Sequence, residues 1–187
     1  KQFVPMKLIL VIIFIKLIFN SSVYSKDIPI IVIAPSKKVQ SISAVGTSVT
    51  VLDEDFFKNS NEYFLGDVLS KKTNSTNFFQ SGGHGTSSAI QLRGLPKRYS
   101  TVYIDGIKMS DPSSVSNDFD FNHILTSQVT RVEILRGNQS SVYGSGAIGG
   151  TIHITTKKGE AGFEKNLNYS TGSYGTHNLS TSLSGGD

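Results

Sequence analysis

The stretch Tyr-Gly-Ser-Gly-Ala-Ile-Gly-Gly at positions 143 to 150 restricts the fold most, because of what comes directly after it. Gly144, Gly146 and Gly149 have the Gly-x-Gly-x-x-Gly spacing of a dinucleotide site, a strand-like run (Arg131 to Leu135) precedes them, and Glu164 follows at about the distance of a ribose-binding acid. Such a site needs a helix beginning at the glycines, whose free N–H groups and dipole hold the pyrophosphate. Instead the chain continues as Thr151-Ile152-His153-Ile154-Thr155-Thr156, β-branched at five of six positions. Branching at Cβ and alternating polarity specify a strand. Two strands joined by a glycine-rich connection form a hairpin-like unit, which argues against a nucleotide-dependent enzyme; that alternative would require a helix from Gly149 onward.

The formal charge of +4 suggests a basic protein, but three of its 18 basic residues (Lys1, Lys7 and Lys16) lie in an N-terminal apolar segment. From Lys26 onward 15 basic residues face 14 acidic ones, too balanced for nucleic-acid binding. The segment from Met6 has a basic start, an apolar run from Leu8 to Phe19, then small residues near Ser25. That run is shorter than the roughly 20 residues a membrane-crossing helix needs, so residues 1–25 read as an export signal. The chain has no cysteine, hence no disulfide framework. His84, His123, His153 and His177 are scattered without metal-ligand spacing, so no metal site is expected.

Farther on, Ile30-Ile31-Val32-Ile33-Ala34 is a strand-forming run between Pro29 and Pro35. Proline lacks a ladder donor, so the run suits an edge. It serves either as the first strand of the domain or as a segment kept free to pair with another chain. A strand is predicted over Thr47 to Leu52, a helix start at Asp53-Glu54-Asp55, and a second helix over Glu62 to Ser70 with Phe64, Leu65, Val68 and Leu69 on one face. Ser81 to Gly85 is a glycine-rich loop, Ala89 to Leu92 a short strand, and Thr101 to Met109 a hairpin turning at Asp105-Gly106. Asp111, Asp118 and Asp120 lie in a polar loop without the spacing of a calcium site. After Gly159, Leu167 and Tyr169, then Leu179 and Leu183, alternate with small polar residues, the dyad pattern of membrane β-strands. A surface hairpin of a soluble sheet is the other reading of that tail.

The run VTRVEILRGNQSSVYGSGAIGGTIHITTKKG, Val129 to Gly159, resembles the closing segment of the plug domain of TonB-dependent outer-membrane receptors. AIQLRG, VYIDGIKMSDPSS and DFFKNSNEYFLGDVLSKKTN resemble the same domain in the same order. Asn138-Gln139 departs from the proline that many members place after Leu-Arg-Gly; asparagine still tolerates the turn. The resemblance implies an α+β fold, a plug with a small mixed β-sheet and short helices followed by the first strands of a transmembrane β-barrel. It divides the chain into the signal (1–25), a periplasmic leader with a TonB box (26–40), the plug (41–160) and the start of the barrel (161–187). A barrel of 22 strands needs far more chain, so the sequence reads as the N-terminal portion of a longer protein.

The resemblance further implies an outer-membrane transporter rather than an enzyme, without a cofactor, taking up cobalamin or an iron-siderophore, with a soluble periplasmic binding protein as the alternative. TonB, energised by ExbB and ExbD at the inner membrane, would grip Ile30, Ile31, Val32, Ile33 and Ala34. Ligand contacts are expected from the loops Gln80 to Thr86, Pro96 to Ser100 and Ser110 to Asn117, through Ser81, Gly82, Gly83, His84, Tyr99, Ser110 and Asp111. Arg93 and Arg136, each in a Leu-Arg-Gly, would meet glutamates of the barrel wall.

Overall fold

A computed structural model describes residues 31–34, 37–74, 76–83, 85–116, 119–159 and 161–186. The export signal, Ile30 and His84 lie outside the described residues. In chain order the elements are β1 (Ile31–Val32), β2 (Gln40–Ser41), β3 (Ser48–Leu52), helices α1 (Glu54–Lys58) and α2 (Leu65–Lys72), β4 (Thr76–Gln80), β5 (Ser88–Leu92), β6 (Ser100–Ile104), β7 (Ile107–Met109), β8 (Val129–Arg136), helix α3 (Ser140–Tyr143), β9 (Gly150–Thr156), β10 (Gly162–Thr171) and β11 (His177–Gly186).

Five strands form a mixed sheet in the order β3-β8-β9-β6-β7. Only the β6–β9 pair in it is parallel. The side-chain period of two then gives the sheet two different faces. Leu52, Val132, Ile134, Ile152, Ile154 and Val102 point one way and pack with Phe57, Leu65, Val68 and Leu69 of α1 and α2. All ten are 7% exposed or less, so this layer supplies most of the hydrophobic stabilisation. Cross-strand neighbours Val51, Glu133, His153 and Tyr103 lie in a row on the other face.

The helices begin where local chemistry allows. The Asp53 carboxylate accepts from the Phe56 N–H at 3.0 Å, capping α1, and Glu54 and Asp55 occupy its first turn. Helix α2 starts at Leu65, later than the sequence suggests. Glu62 and Tyr63 give their carbonyls to Thr126, and the Leu65 N–H donates to the Ile124 carbonyl at 3.0 Å. A crossing segment thus holds these residues extended. Strand β4, which the sequence reading missed, pairs with β5 in a separate two-stranded sheet.

The Asp105-Gly106 turn has the predicted handedness, with φ of 49° and 84°. The link from β8 to β9 is not the tight bend expected from the glycines. It contains α3, which the Asn138 carboxamide helps start by accepting from the Ser140 N–H at 2.9 Å. The loop closes through main-chain bonds from Gly137 to Gly149 (3.0 Å) and from Gln139 to Ala147 (2.8 Å). Helix α3 ends before Gly144, so no helix begins at the glycines. Gly150 has φ of 143°, and a Cβ there would lie 2.1 Å from the Leu135 carbonyl oxygen. The glycine serves close strand approach.

Candidate functional site

Three regions concentrate chemistry. The first is a cavity of about 480 Å³ that draws on all three predicted ligand loops. Gln80 and Ser81 line it from the first, Lys97 and Arg98 from the second, and Ser116 from the third, beside Phe79 and Gln91. The first loop turns β4 into β5, and the second follows the far end of β5. Phe79 keeps 55% of its surface exposed and lines the cavity among polar side chains.

Among the described residues expected to bind ligand, only Ser81 lines this cavity. The Gly83 carbonyl accepts from the Gln80 amide at 2.7 Å and the Thr86 hydroxyl at 2.9 Å, which shapes the loop, and Gly82 is exposed beside it. The Tyr99 carbonyl accepts from the Gly149 N–H at 2.9 Å, and its ring lies 4.9 Å beneath the Arg98 guanidinium. The Asp111 carboxylate accepts from Ser113 at 2.9 and 2.6 Å, and Ser110 is exposed next to it. Phe79 and Gln91 went unnoticed because they sit in strands; an aromatic at an outward position of a short strand was the available signal. Among the described residues, no three His, Asp or Glu side chains converge as a metal site would require.

The second region is the N-terminal segment. Its sequence suggests an exposed strand on a loose leader, but β1 pairs antiparallel with β2, with Ile31 opposite Ser41 and Val32 opposite Gln40. Val32 (0% exposed) and Ala34 (4%) are buried, while Ile33 points outward. The Glu133 carboxylate, on the second face of the sheet, accepts from the Ile33 N–H at 3.1 Å and the Ala34 N–H at 2.8 Å. The Tyr143 hydroxyl donates to the Ala34 carbonyl. Around them His153 stacks on Tyr103 at 4.8 Å, and Lys37 lies over the Tyr143 ring at 5.2 Å. Burial pulls the His153 imidazole down to about 4, opposed by Glu133 and assisted by Lys37, so it is neutral near pH 7. Burial, with Tyr103 and Glu133, pushes the Tyr143 hydroxyl up to about 12. It therefore remains a donor.

The third region holds the two arginines. Arg136 is buried, its Nη1 donates to the Thr50 hydroxyl at 2.7 Å, and its Nε and Nη2 have no hydrogen-bond partner among the described residues. Burial, and next the Arg93 charge, lower its pKa. Arg93 reaches the same place: its Nη1 lies 3.3 Å from where a Cβ on Gly137 would be. Its φ of 54° belongs to the turn before Gly94. Two cations thus sit together, one buried with donors unused, and a buried charge is stable only with an opposite one.

After the five-stranded sheet come β10 and β11, ten residues each, in a continuous antiparallel register. Phe163, Leu167, Tyr169, Leu179 and Leu183 share one exposed face. The opposite face carries Asn166, Asn168, Ser180 and Ser182, and on this face the Ser170 hydroxyl meets the Tyr63 hydroxyl just ahead of α2.

Residues 41–151 match the family model of the TonB-dependent receptor plug domain. Among solved structures, the ferric yersiniabactin uptake receptor FyuA from Yersinia pestis is 26% identical, with a TM-score of 0.60 over 77% of this chain and 22% of that one. The P. aeruginosa receptor FpvA bound to pyoverdines (21% identity, TM-score 0.68, 83% of this chain and 20% of that one) and the alcaligin receptor FauA from Bordetella pertussis (18%, 0.66, 82% and 26%) share the fold. The chain therefore spans between 20% and 26% of the length of these three receptors. Since the family match covers more than half of its 187 residues, the chain belongs to the TonB-dependent receptor plug-domain family.

Proposed function

We propose that this chain is the plug-bearing portion of an outer-membrane active transporter, which binds a bulky chelate from outside and admits it to the periplasm with energy delivered by TonB. The observation that carries this reading is the β10–β11 hairpin following directly on the plug. Two ten-residue strands, one face rich in Phe, Leu and Tyr around Lys165 and the other in Asn and Ser, fit a barrel wall between lipid and a filled lumen. The Ser170 contact with Tyr63 supports the polar row facing the plug. The same exposed row counts against a soluble periplasmic binding protein.

Within that reading, residues 1–25 direct export, TonB (driven by ExbB and ExbD) grips residues 30–34, and the plug seals the pore until it is pulled. The unused donors of buried Arg136, beside Arg93, support an acidic counter-charge from the barrel wall, which would hold the plug in place. Lys97 and Arg98 at the cavity, with the Gln80 and Gln91 amides and the Phe79 ring, favour a negatively charged ferric chelate over cobalamin. The test is uptake of radiolabelled ferric chelates and cobalamin by cells carrying the full-length receptor, with and without TonB. Ferric-chelate accumulation that disappears without TonB supports the reading. Accumulation that persists without TonB, or a receptor that fractionates with soluble periplasmic protein, overturns it.

A further inference from the structure

Glu133 sits in the middle of β8, yet its side chain bonds to a segment about a hundred residues earlier in the chain. It is 4% exposed, accepts from the Ile33 and Ala34 N–H groups, and has the Arg131 Nε 2.8 Å from its other oxygen. The Tyr143 hydroxyl takes the Ala34 carbonyl on the same short segment. These are main-chain groups that an incoming strand would need, since strand addition proceeds through backbone N–H and C=O. We propose that Glu133 and Tyr143 form a latch on residues 33 and 34, so that a partner strand and the latch compete for the same backbone. This rests on reading residues 30–34 as the segment TonB grips.

The chemistry suits a latch. A carboxylate offers only acceptors and can serve two N–H groups at once, and Arg131 fixes its orientation. The grip is also small: besides the two side chains, only the two-residue β1–β2 pairing and the buried side chains of Val32 and Ala34 hold the segment. Ile33, 51% exposed, remains on the outside as a first point of contact. The latch also lies on a different element from the ligand cavity. Glu133 is in β8, whereas the cavity draws on β4, β5 and the loops around them, so changing one need not deform the other.

The test uses the full-length receptor, comparing wild type, Glu133→Gln, Tyr143→Phe and the double variant by amide hydrogen exchange and by affinity for the purified periplasmic domain of TonB. The latch predicts at least tenfold faster exchange at Ile33 and Ala34 in the double variant, with Ile134 and Ile152 unchanged. It also predicts at least fivefold tighter TonB binding. Tyr143→Phe removes one hydroxyl and gives a smaller change in the same direction. Unchanged exchange at Ile33 and Ala34 overturns the latch, as does equal acceleration at Ile134, which would make Glu133 a support of the sheet. Faster exchange without tighter binding overturns the competition. If neither wild type nor the freed variants bind TonB at all, the reading of residues 30–34 is what fails, and the exchange data still decide whether Glu133 holds the segment.

Discussion

The five-stranded sheet and the β10–β11 hairpin are both regular ladders, but they keep their apolar residues in opposite places. In the sheet, Leu52, Val132, Ile134, Ile152 and Ile154 lie beneath two helices. In the hairpin, Phe163, Leu167, Tyr169, Leu179 and Leu183 remain 61% to 73% exposed although all ten residue pairs are in register. Backbone pairing therefore sets register in both, and burial sets where stability comes from. A lone two-stranded ladder is marginal in water, so the hairpin needs an apolar medium or further strands, whereas the sheet carries its own core.

The strongest way to break this contrast is to damage the sheet where it has no slack. Gly150→Val places a branched side chain at φ of 143° against the Leu135 carbonyl and should cost about 3–5 kcal/mol, read by guanidinium unfolding. An unfolding midpoint equal to wild type would mean that β8 and β9 can separate without loss. A gentler probe is acid. His153 is held neutral by burial, with a folded pKa of about 4 against about 6.5 unfolded. Above pH 6.5 it is neutral in both states and stability is complete. As pH falls toward 4 the unfolded chain takes up a proton that the folded chain refuses, and on the order of 3 kcal/mol is lost. His153→Phe should flatten that part of the pH profile; a profile identical to wild type would show that another group is responsible.

The smallest effect belongs to the hairpin. Leu167→Asn should change aqueous stability by less than about 0.5 kcal/mol, because the side chain is already in water. In the full-length receptor in a bilayer, Leu167→Arg should instead destabilise by about 2–4 kcal/mol if the residue faces lipid near the midplane. Equal effects in water and bilayer would remove the distinction between the two regions.

Much of the fold was legible where one local signal decides it. Asp53 caps α1, Asp105-Gly106 turns β6 into β7, and the β-branched run after Gly149 forms β9. The alternation after Gly159 gave the hairpin and its two faces. The three loops expected to meet ligand were legible as loops, but most of the residues lining their cavity were not. Phe79 and Gln91 enter it because β4 pairs with β5, a non-local event that no short window encodes. The start of α2 was misplaced for a similar reason: residues 124–126 capture the backbone of Glu62, Tyr63 and Leu65.

The sequence by itself determined most of the strands, the turn at Asp105-Gly106 and the apolar face of the longer ladders, because those depend on neighbours two to four positions away. Tertiary structure alone decided that Glu133 would reach back to residues 33 and 34, that Arg93 and Arg136 would share one place, and that three loops would enclose one cavity. Each joins groups far apart in the chain, whose meeting is fixed by strand order and register, and those are set by the packing of the whole sheet.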